Sequence, residues 1–336
     1  MKNILYIGNK LNHKRSNVSS IDTLGPLLEK EGYILFYASS KVNRVLRLLD
    51  MIKTCFYYRK DVDVVLIDVY STLNFYYALV ISQWCRVLKL KYITSLNGGN
   101  LPNRLNNNPI FCKLVFKHAY KMVSPSLYLK EAFELKGYNN VIYIPNTIEL
   151  KNYQFKDRQF KQAKLLWVRS FSKIYNPLLA IKVLKELQDQ DIPSSLCMVG
   201  PDSDGSLQDV KTMVKQLQLD VKFTGKLTKE EWGTLSEDYN IFINTTNFDN
   251  MPVSVIEAMA LGLVVVSTNV GGMPFLIQNK VEGLLVEPNN EHEFVNVITK
   301  ILNNQHLANQ MRLKARQKVE SFDWDTVKHL WFKTLQ

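Results

Sequence analysis

Short apolar runs rich in Val, Ile and Tyr alternate with longer segments of helical period along the whole chain. The runs are almost continuously apolar, which is typical of strands that are covered on both faces in a parallel sheet. Strands and helices that alternate in this way predict right-handed crossovers and a doubly wound α/β fold. In the first half, the predicted strands are residues 3–8, 33–39, 62–69, 91–96, 121–124 and 141–144.

The same pattern starts again in the second half of the chain. Its predicted strands are residues 164–169, 195–199, 221–224, 240–244, 263–267 and 283–286. A length of 336 residues suits about two domains. We therefore predict two Rossmann-like domains that face each other across a cleft. Their predicted bounds are 1–151 and 164–320, with a polar linker over 152–163 and a terminal helix over 321–336 that docks on the first domain.

The cysteines and the apolar runs indicate the cellular compartment in which the protein is expected. Cys55, Cys85, Cys112 and Cys197 form no CxxC pair, so we expect buried thiols in a reducing compartment. The N-terminal apolar run is too short for a signal peptide, and polar side chains interrupt the longest uncharged run, residues 69–85. A spanning helix needs about 20 predominantly apolar residues. We expect a cytoplasmic protein.

The charge of the chain is concentrated in its first half. Residues 1–150 carry 20 Lys and Arg against 10 Asp and Glu, while the remaining residues carry 22 against 21. A basic half predicts an anionic partner, such as a phospholipid surface or a phosphorylated substrate. The segment 42–60 is both basic and apolar at helical spacing, which predicts a helix on an anionic leaflet through Arg44, Arg47 and Lys53. Nucleic acid is disfavoured because the basic half has no RNP-type aromatic motif or zinc-finger spacing.

Two acids eight positions apart, Asp249 and Glu257, dominate the second half. The first lies in a predicted loop and the second on the helix that follows, where a carboxylate can accept hydrogen bonds from a ribose diol. The N-terminus of that helix offers N–H groups to an anion such as a diphosphate. An ordinary surface acid and a capping acid would fit the spacing equally well. The segment between the acids begins with Asn250, Met251, Pro252 and Val253.

This stretch resembles the carboxylate-x7-carboxylate signature of the retaining glycosyltransferases of family 4, whose two-domain architecture is called GT-B. Members usually read E-G-F-P-x-x-x-x-E-A-M-A-x-G; here Asp249 replaces the first Glu and N-M-P replaces G-F-P. The sequences EAMALG at 257–262 and GGMP at 271–274 match closely. In layout the resemblance covers nearly the whole chain, and its specific motifs lie in the second half.

The resemblance implies roles for these residues. Glu257 would bind the nucleotide ribose, and Asp249 would position the donor sugar near its diphosphate. Arg169 matches the arginine that clamps the diphosphate, so Asp249 and Arg169 are the candidate catalytic residues. The family lysine position holds Ile174, and Lys173 one place earlier is the candidate substitute.

Further donor contacts follow from the same resemblance. Asn97 stands where the family often has a histidine that touches the sugar, and as an amide it can bind but cannot transfer protons at neutral pH. Gly98 and Gly99 allow close approach of the backbone, as do Gly200 and Gly225 near the base. The loop after the first strand brings Lys14 and Arg15 toward phosphate or acceptor.

The sequence thus predicts a retaining hexosyltransferase that uses a UDP- or GDP-linked sugar, a glycan or lipid-linked acceptor, and no metal or other cofactor. A role in surface polysaccharide synthesis at the inner face of the membrane would fit. Two alternatives remain open: a nucleotide-sugar epimerase of the same fold, and a catalytically silent homologue that docks on membranes or acts as a scaffold. The departures at 97, 174 and 249 favour the silent homologue, whereas the match around Glu257 favours the transferase.

Overall fold

The computed structural model describes residues 2–11 and 19–336. Contacts divide the chain into two compact units. Unit 1 comprises Met1–Pro145 and Lys328–Gln336, and unit 2 comprises Asn146–Val327.

Unit 1 is built on a parallel sheet that has six strands in the described part of the chain. The strands are β1 (Asn3–Ile7), β2 (Ile34–Ala38), β3 (Val64–Val69), β4 (Tyr92–Leu96), β5 (Lys121–Ser124) and β6 (Val141–Tyr143). Their order across the sheet is β2-β1-β3-β4-β5-β6. The chain therefore reverses its winding direction between β1 and β3.

Helices connect these strands, and their apolar sides bury the sheet. They are α1 (Ser20–Lys30), α2 (Arg44–Tyr57), α3 (Phe75–Val87), α4 (Leu101–Asn107), α5 (Pro109–Phe116) and α6 (Leu127–Glu134). The sequence predicts a helix over residues 107–119, and the structure has α5 within that range but also α4, which is not predicted. The two helices meet at Asn108, because Pro109 lacks an N–H and disfavours helical geometry in the residue before it.

Unit 2 contains a second parallel sheet, again with six strands among the described residues. The strands are β7 (Ala163–Val168), β8 (Ser194–Val199), β9 (Val221–Gly225), β10 (Ile241–Asn244), β11 (Val264–Thr268) and β12 (Leu284–Val286). The order is β12-β11-β10-β7-β8-β9, so the winding direction reverses between β7 and β10.

The helices of unit 2 pack on its sheet in two buried apolar clusters. They are α7 (Pro177–Asp189), α8 (Ser206–Gln216), α9 (Lys229–Leu235), α10 (Val253–Ala260), α11 (Met273–Leu276), α12 (Glu291–Asn303) and α13 (Gln305–Val319). A last helix, α14 (Trp324–Leu335), begins in unit 2, and its residues from Lys328 onward belong to unit 1. There Lys328 forms an ion pair with Glu31, and the Lys121 ammonium donates to the carbonyls of Lys333 and Thr334.

Residues 152–163, predicted as a linker, belong to unit 2 in the structure. Their anchor is Arg158, which is 5% exposed and donates to the carbonyls of Ser236, Leu261 and Gly262. A polar segment without apolar period resembles a linker in sequence, but here its arginine satisfies buried carbonyl groups that would otherwise lack partners.

The predicted fold class is confirmed, since each predicted strand overlaps an observed one and both sheets are parallel with interleaved helices. All four cysteines are buried and none is in a disulfide, as predicted. Within the described ranges, no helix has the length and apolar character needed to cross a bilayer.

Candidate functional site

The reversal between β7 and β10 brings together the two candidate catalytic residues. Arg169 directly follows β7, and Asp249 lies in the loop after the neighbouring strand β10. Their side chains form an ion pair, and each is 14% exposed. Doubly wound sheets bind ligands at such reversals, beyond the carboxyl ends of the strands.

The Arg169 guanidinium packs against an aromatic ring and retains one N–H group that is not used in a hydrogen bond to the described residues. Its central carbon lies 4.8 Å from the centre of the Tyr175 ring, a cation–π distance. Burial raises the pKa of the Tyr175 hydroxyl, and the nearby guanidinium opposes that shift. The buried Arg169 Nε–H has no hydrogen-bond partner among the described residues. The group can therefore donate to a further acceptor while it remains paired with Asp249.

The loop that carries Asp249 is fixed by the Gly271-Gly272 pair. The Gly272 N–H donates to the Asp249 carbonyl at 3.0 Å. A Cβ at Gly271 would lie 2.1 Å from that carbonyl oxygen, and a Cβ at Gly272 would lie 1.8 Å from the carbonyl oxygen of Asn250. Only glycine permits this approach, so the match to the family sequence at these positions has a steric cause.

The N-terminus of α10 follows this loop. Pro252 is its N-cap residue and contributes no side-chain cap, while Met251 accepts a hydrogen bond from the Asn146 amide at 2.7 Å. The first helical residues are Val253 and Ser254, and the Ser254 hydroxyl is buried without a hydrogen-bond partner in the described part of the chain. An uncapped helix N-terminus beside an arginine favours an anion.

Glu257 lies one turn further along α10 and is 4% exposed. Its Oε1 accepts the hydroxyl of Tyr153 at 2.7 Å and lies 2.9 Å from the ammonium of Lys229. Burial and the Glu257 charge together raise the pKa of Tyr153. Neither partner is among the residues predicted from the sequence. Tyr153 fell in the supposed linker, and only the position of Lys229 at the start of a helix after β9 could have drawn attention to it.

The two predicted glycines at strand ends differ in their surroundings. Gly200 has φ +147°, and a Cβ there would lie 1.8 Å from the carbonyl oxygen of Arg169. Its N–H donates to the carbonyl of Gly225 at 2.8 Å. Gly225 has φ +73°, with open space where a Cβ would be. Gly200 thus sets the backbone position of Arg169.

Lys173 lies on the exposed side of this edge. It opens a short 3-10 turn, Lys173–Tyr175, and its backbone N–H donates to the Asp204 carboxylate at 2.9 Å. Its exposed side chain contrasts with the mostly buried guanidinium of Arg169. A role for Lys173 toward the donor stays a prediction.

The predicted residues of unit 1 lie at the carboxyl end of β4. The N–H groups of Asn97 and Gly98 both donate to the Val69 carbonyl, at 2.9 and 3.1 Å. A Cβ at Gly98 would lie 2.2 Å from the backbone nitrogen of Ser71, so this position requires glycine. Gly99 is half-buried and completes the turn. Lys14 and Arg15 lie outside the described residues.

The predicted basic surface of α2 is wrong at one position. Arg44 and Lys53 are exposed, but Arg47 is 6% exposed. The Arg47 guanidinium donates to the Asn9 side chain at 2.9 Å and to two carbonyls of the segment before α2, those of Lys41 and Val42. It turns inward because it satisfies these acceptors. Helical spacing alone cannot distinguish it from the exposed cations.

The sequence predicts that the protein needs no metal ion, and this stays a prediction. Among the described residues, no group of three His, Cys, Asp or Glu side chains is arranged to hold an ion.

Comparisons with known proteins bear on the family and the fold of the chain. Residues 151–318 match the model of the family described as Glycosyl transferases group 1. An uncharacterized glycosyltransferase of Haemophilus influenzae is 28% identical over 196 residues, which cover 57% of this chain and 54% of that protein. The UDP-Gal:alpha-D-GlcNAc-diphosphoundecaprenol alpha-1,3-galactosyltransferase of Escherichia coli is 24% identical over 149 residues, covering 43% of this chain and 37% of that protein. These alignments thus span about half, or less, of the relatives' own lengths.

Among solved structures, HepE of Anabaena in complex with UDP and glucose superposes with a TM-score of 0.82 at 15% identity. The match covers 100% of this chain and 99% of that one. At this identity, the likeness establishes the two-domain α/β fold.

The Gly200 contact predicts unequal effects of two glycine substitutions. Gly200→Ala forces the Arg169 carbonyl to move and should lower the free energy of unfolding by about 3 kcal/mol or more. Gly225→Ala meets no neighbour and should cost only the left-handed strain, about 1 kcal/mol. Urea unfolding of the two variants measures the difference. Equal losses would mean that Gly200 does not support Arg169.

Proposed function

The chain belongs to the group 1 family of glycosyl transferases, and from that membership we propose that it transfers a sugar from a nucleotide-sugar donor to a glycan or lipid-linked glycan, with retention at the anomeric carbon. The observation that carries the proposal is the Arg169–Asp249 ion pair at the strand reversal of unit 2. In this pair, the Arg169 guanidinium can bind the diphosphate of a nucleotide-sugar. The Asp249 carboxylate lies beside it, where the sugar of the same donor would bind.

The diphosphate binds through Arg169 and the N-terminus of α10 in this proposal. The unpartnered Arg169 Nε–H and the buried Ser254 hydroxyl supply hydrogen bonds that no described protein group uses. As the bond between sugar and phosphate breaks, charge builds on the phosphate oxygen, and a fixed guanidinium stabilises that charge most strongly in the transition state.

Glu257 holds the ribose. The ammonium of Lys229 and the Tyr153 hydroxyl fix its carboxylate, so it is an oriented acceptor for the two ribose hydroxyls. Asp249 positions the donor sugar. The acceptor oxygen then bonds to the anomeric carbon from the face that the phosphate leaves, and its proton passes to the departing phosphate oxygen.

Uridine is the nucleoside that we propose for the donor. The E. coli relative is named for a UDP-Gal donor, and HepE was solved with UDP and glucose. Both facts concern those proteins, and they support a UDP-sugar as the first donor to test here.

A donor panel tests the proposal. The protein is incubated with UDP-glucose, UDP-galactose, UDP-N-acetylglucosamine and GDP-mannose, and release of the nucleoside diphosphate is followed. We expect slow hydrolysis of one UDP-sugar, abolished by Arg169→Ala. Binding of a UDP-sugar without any turnover would favour the silent homologue, and conversion into an epimeric UDP-sugar would favour the epimerase.

The roles of the two acids predict different losses in nucleotide affinity. Glu257→Gln removes a charged acceptor at the ribose and should weaken binding of UDP by about 10- to 100-fold. Asp249→Asn acts at the sugar and should change UDP binding much less. Isothermal titration calorimetry with UDP measures both, and the exposed Glu230→Gln on the neighbouring helix is the matched control. A larger loss in Asp249→Asn would reverse the assigned roles.

The acceptor side of the proposal rests on a surface of unit 1. We use the name apolar-basic surface for the outer faces of α2, α3 and α5. Arg44 and Lys53 are exposed on α2. Five apolar side chains of the same helix are 51–68% exposed: Val45, Leu46, Leu49, Phe56 and Tyr57. So much exposed apolar area on one helix marks an interaction site.

A groove of about 330 Å³ continues this surface between the three helices. Apart from Gln83, its lining is apolar: Ile52, Leu79, Val80, Trp84, Val87 and Leu114. The indole N–H of Trp84 is buried and has no hydrogen-bond partner in the described ranges. Tryptophan, which has an apolar body and a polar N–H, is typical of the boundary between hydrocarbon and headgroups.

The charge around the apolar-basic surface supports an anionic bilayer as its occupant. Residues 69–130, which include α3 and α5, contain no Asp or Glu and eight Lys and Arg. Apolar groups surrounded by cations favour an anionic bilayer over a protein partner with an ordinary mixed surface. The protein therefore docks on the cytoplasmic leaflet, where a lipid-linked acceptor of surface polysaccharide synthesis would be presented. The E. coli relative, whose name includes a diphosphoundecaprenol acceptor, supports this class of acceptor.

Liposome sedimentation tests the membrane proposal. Arg44→Glu with Lys53→Glu should abolish binding to vesicles that contain phosphatidylglycerol, and Leu46→Ser with Leu49→Ser should weaken it strongly. The control Lys211→Glu with Lys215→Glu reverses two exposed cations of unit 2 and should bind as the parent does. Equal binding by all variants would contradict the assignment of this surface.

A further inference from the structure

Unit 1 carries a buried carboxylate at its own strand reversal. Asp68 lies near the carboxyl end of β3, next to β1, where the winding direction changes. It is 5% exposed. Gly8 follows β1, and a Cβ at Gly8 would lie 2.6 Å from Asp68 Oδ2. Asp68 is not among the residues predicted from the sequence, because an acid inside an apolar run carries no recognised motif.

The two oxygens of Asp68 have different surroundings. Oδ1 accepts the Tyr6 hydroxyl at 3.1 Å and the Asn97 side-chain NH2 at 2.7 Å. Oδ2 is buried and has no hydrogen-bond partner among the residues that the structure describes. Burial raises the pKa of Asp68 to about 7, and the hydrogen bonds from Tyr6, Asn97 and Tyr70 oppose that shift. The other titratable group that acts on it is Asp22 of α1, whose charge raises the pKa further.

These contacts set the orientation of the Asn97 amide. An ionised carboxylate can only accept hydrogen bonds, so it requires the NH2 of Asn97 to face it. The Asn97 carbonyl oxygen then points away from Asp68 and accepts a long hydrogen bond of 3.3 Å from the Ser95 hydroxyl. Because a carbonyl oxygen has two lone pairs, it can accept a second hydrogen bond from a ligand.

The cavity beside Asp68 has a volume of about 10 Å³, room for one water molecule and far too little for a sugar. Asp68 must therefore act through a neighbour. We propose that Asp68 is a positioning residue that holds the Asn97 amide so that its carbonyl oxygen is presented, at the carboxyl end of β4, to a hydroxyl group of a sugar ligand. The inference rests on the proposed glycosyl transfer for the identity of that ligand.

Protonation of Asp68 changes what Asn97 presents. A protonated carboxyl can donate its O–H, so the amide can turn and offer NH2 to the ligand instead of oxygen. Above the Asp68 pKa the carboxylate enforces one orientation, and below it that constraint is lost. Asp68→Asn removes the constraint at every pH, because an amide both donates and accepts.

Two measurements test the positioning role. In protein labelled with ¹⁵N-asparagine, the Asn97 side-chain NH2 signals, assigned by their loss in Asn97→Gln, should shift with a midpoint near pH 7. That titration should be absent in Asp68→Asn and retained in Asp61→Asn, an exposed acid of the same unit. With UDP-glucose as the probe, kcat/KM for hydrolysis should fall as pH drops from 8 to 6. Asp68→Asn should be flat and about 10-fold lower at pH 8.

The outcomes separate this inference from the proposed function. If no variant and no parent protein turns over UDP-glucose, that result counts against the proposed transfer with this donor, and the NMR titration still decides whether Asp68 orients Asn97. An Asn97 signal that does not respond to pH, or an Asp68→Asn variant with the parent's kcat/KM and pH profile, overturns the positioning role. A variant that loses only stability assigns Asp68 to the core.

Discussion

The ion pair between Arg169 and Asp249 spans the one place in the unit 2 sheet where neighbouring strands diverge in winding direction. Crossover helices leave β7 and β10 toward opposite edges of the sheet, so the ends of these strands stay open. The pair holds that opening in a fixed geometry. The pair depends in turn on glycines that leave room for close backbone contacts. The Arg169 carbonyl packs against Gly200, and the carbonyls of the Asp249 loop pack against Gly271 and Gly272.

Each unit places a carboxylate at its strand reversal, but the two are balanced differently. Asp249 pairs with a cation, whereas Asp68 receives hydrogen bonds from the neutral groups of Tyr6 and Asn97. Burial among neutral donors raises the pKa of Asp68 to about 7, so that acid changes its charge near neutral pH. The same topology therefore places a charged pair, Arg169 and Asp249, in unit 2. In unit 1 it places a carboxylate that orients the neutral amide of Asn97.

Sequence patterns predicted the strands well because a strand buried on both faces must be apolar throughout, and that requirement is local. They failed where a polar side chain turns inward to meet a distant partner. Arg158 satisfies carbonyl groups that only the folded chain brings near it, and Arg47 donates to the side chain of Asn9, which is remote in sequence. Tyr153 and Lys229 were missed for the same reason, since their partner Glu257 is remote in sequence. Asp249 and Glu257 could be found because their spacing is local. The pairing of Asp249 with Arg169 could not be found, because the two residues are remote in sequence.

The central claim is that unit 2 binds the nucleotide at the carboxyl ends of β7 to β10. Hydrogen–deuterium exchange followed by mass spectrometry, with and without saturating UDP, tests it without any acceptor or turnover. The account predicts slower exchange in peptides that cover residues 169–176 and 248–257. Protection confined to unit 1, or unchanged exchange throughout unit 2 at saturating UDP, would contradict it.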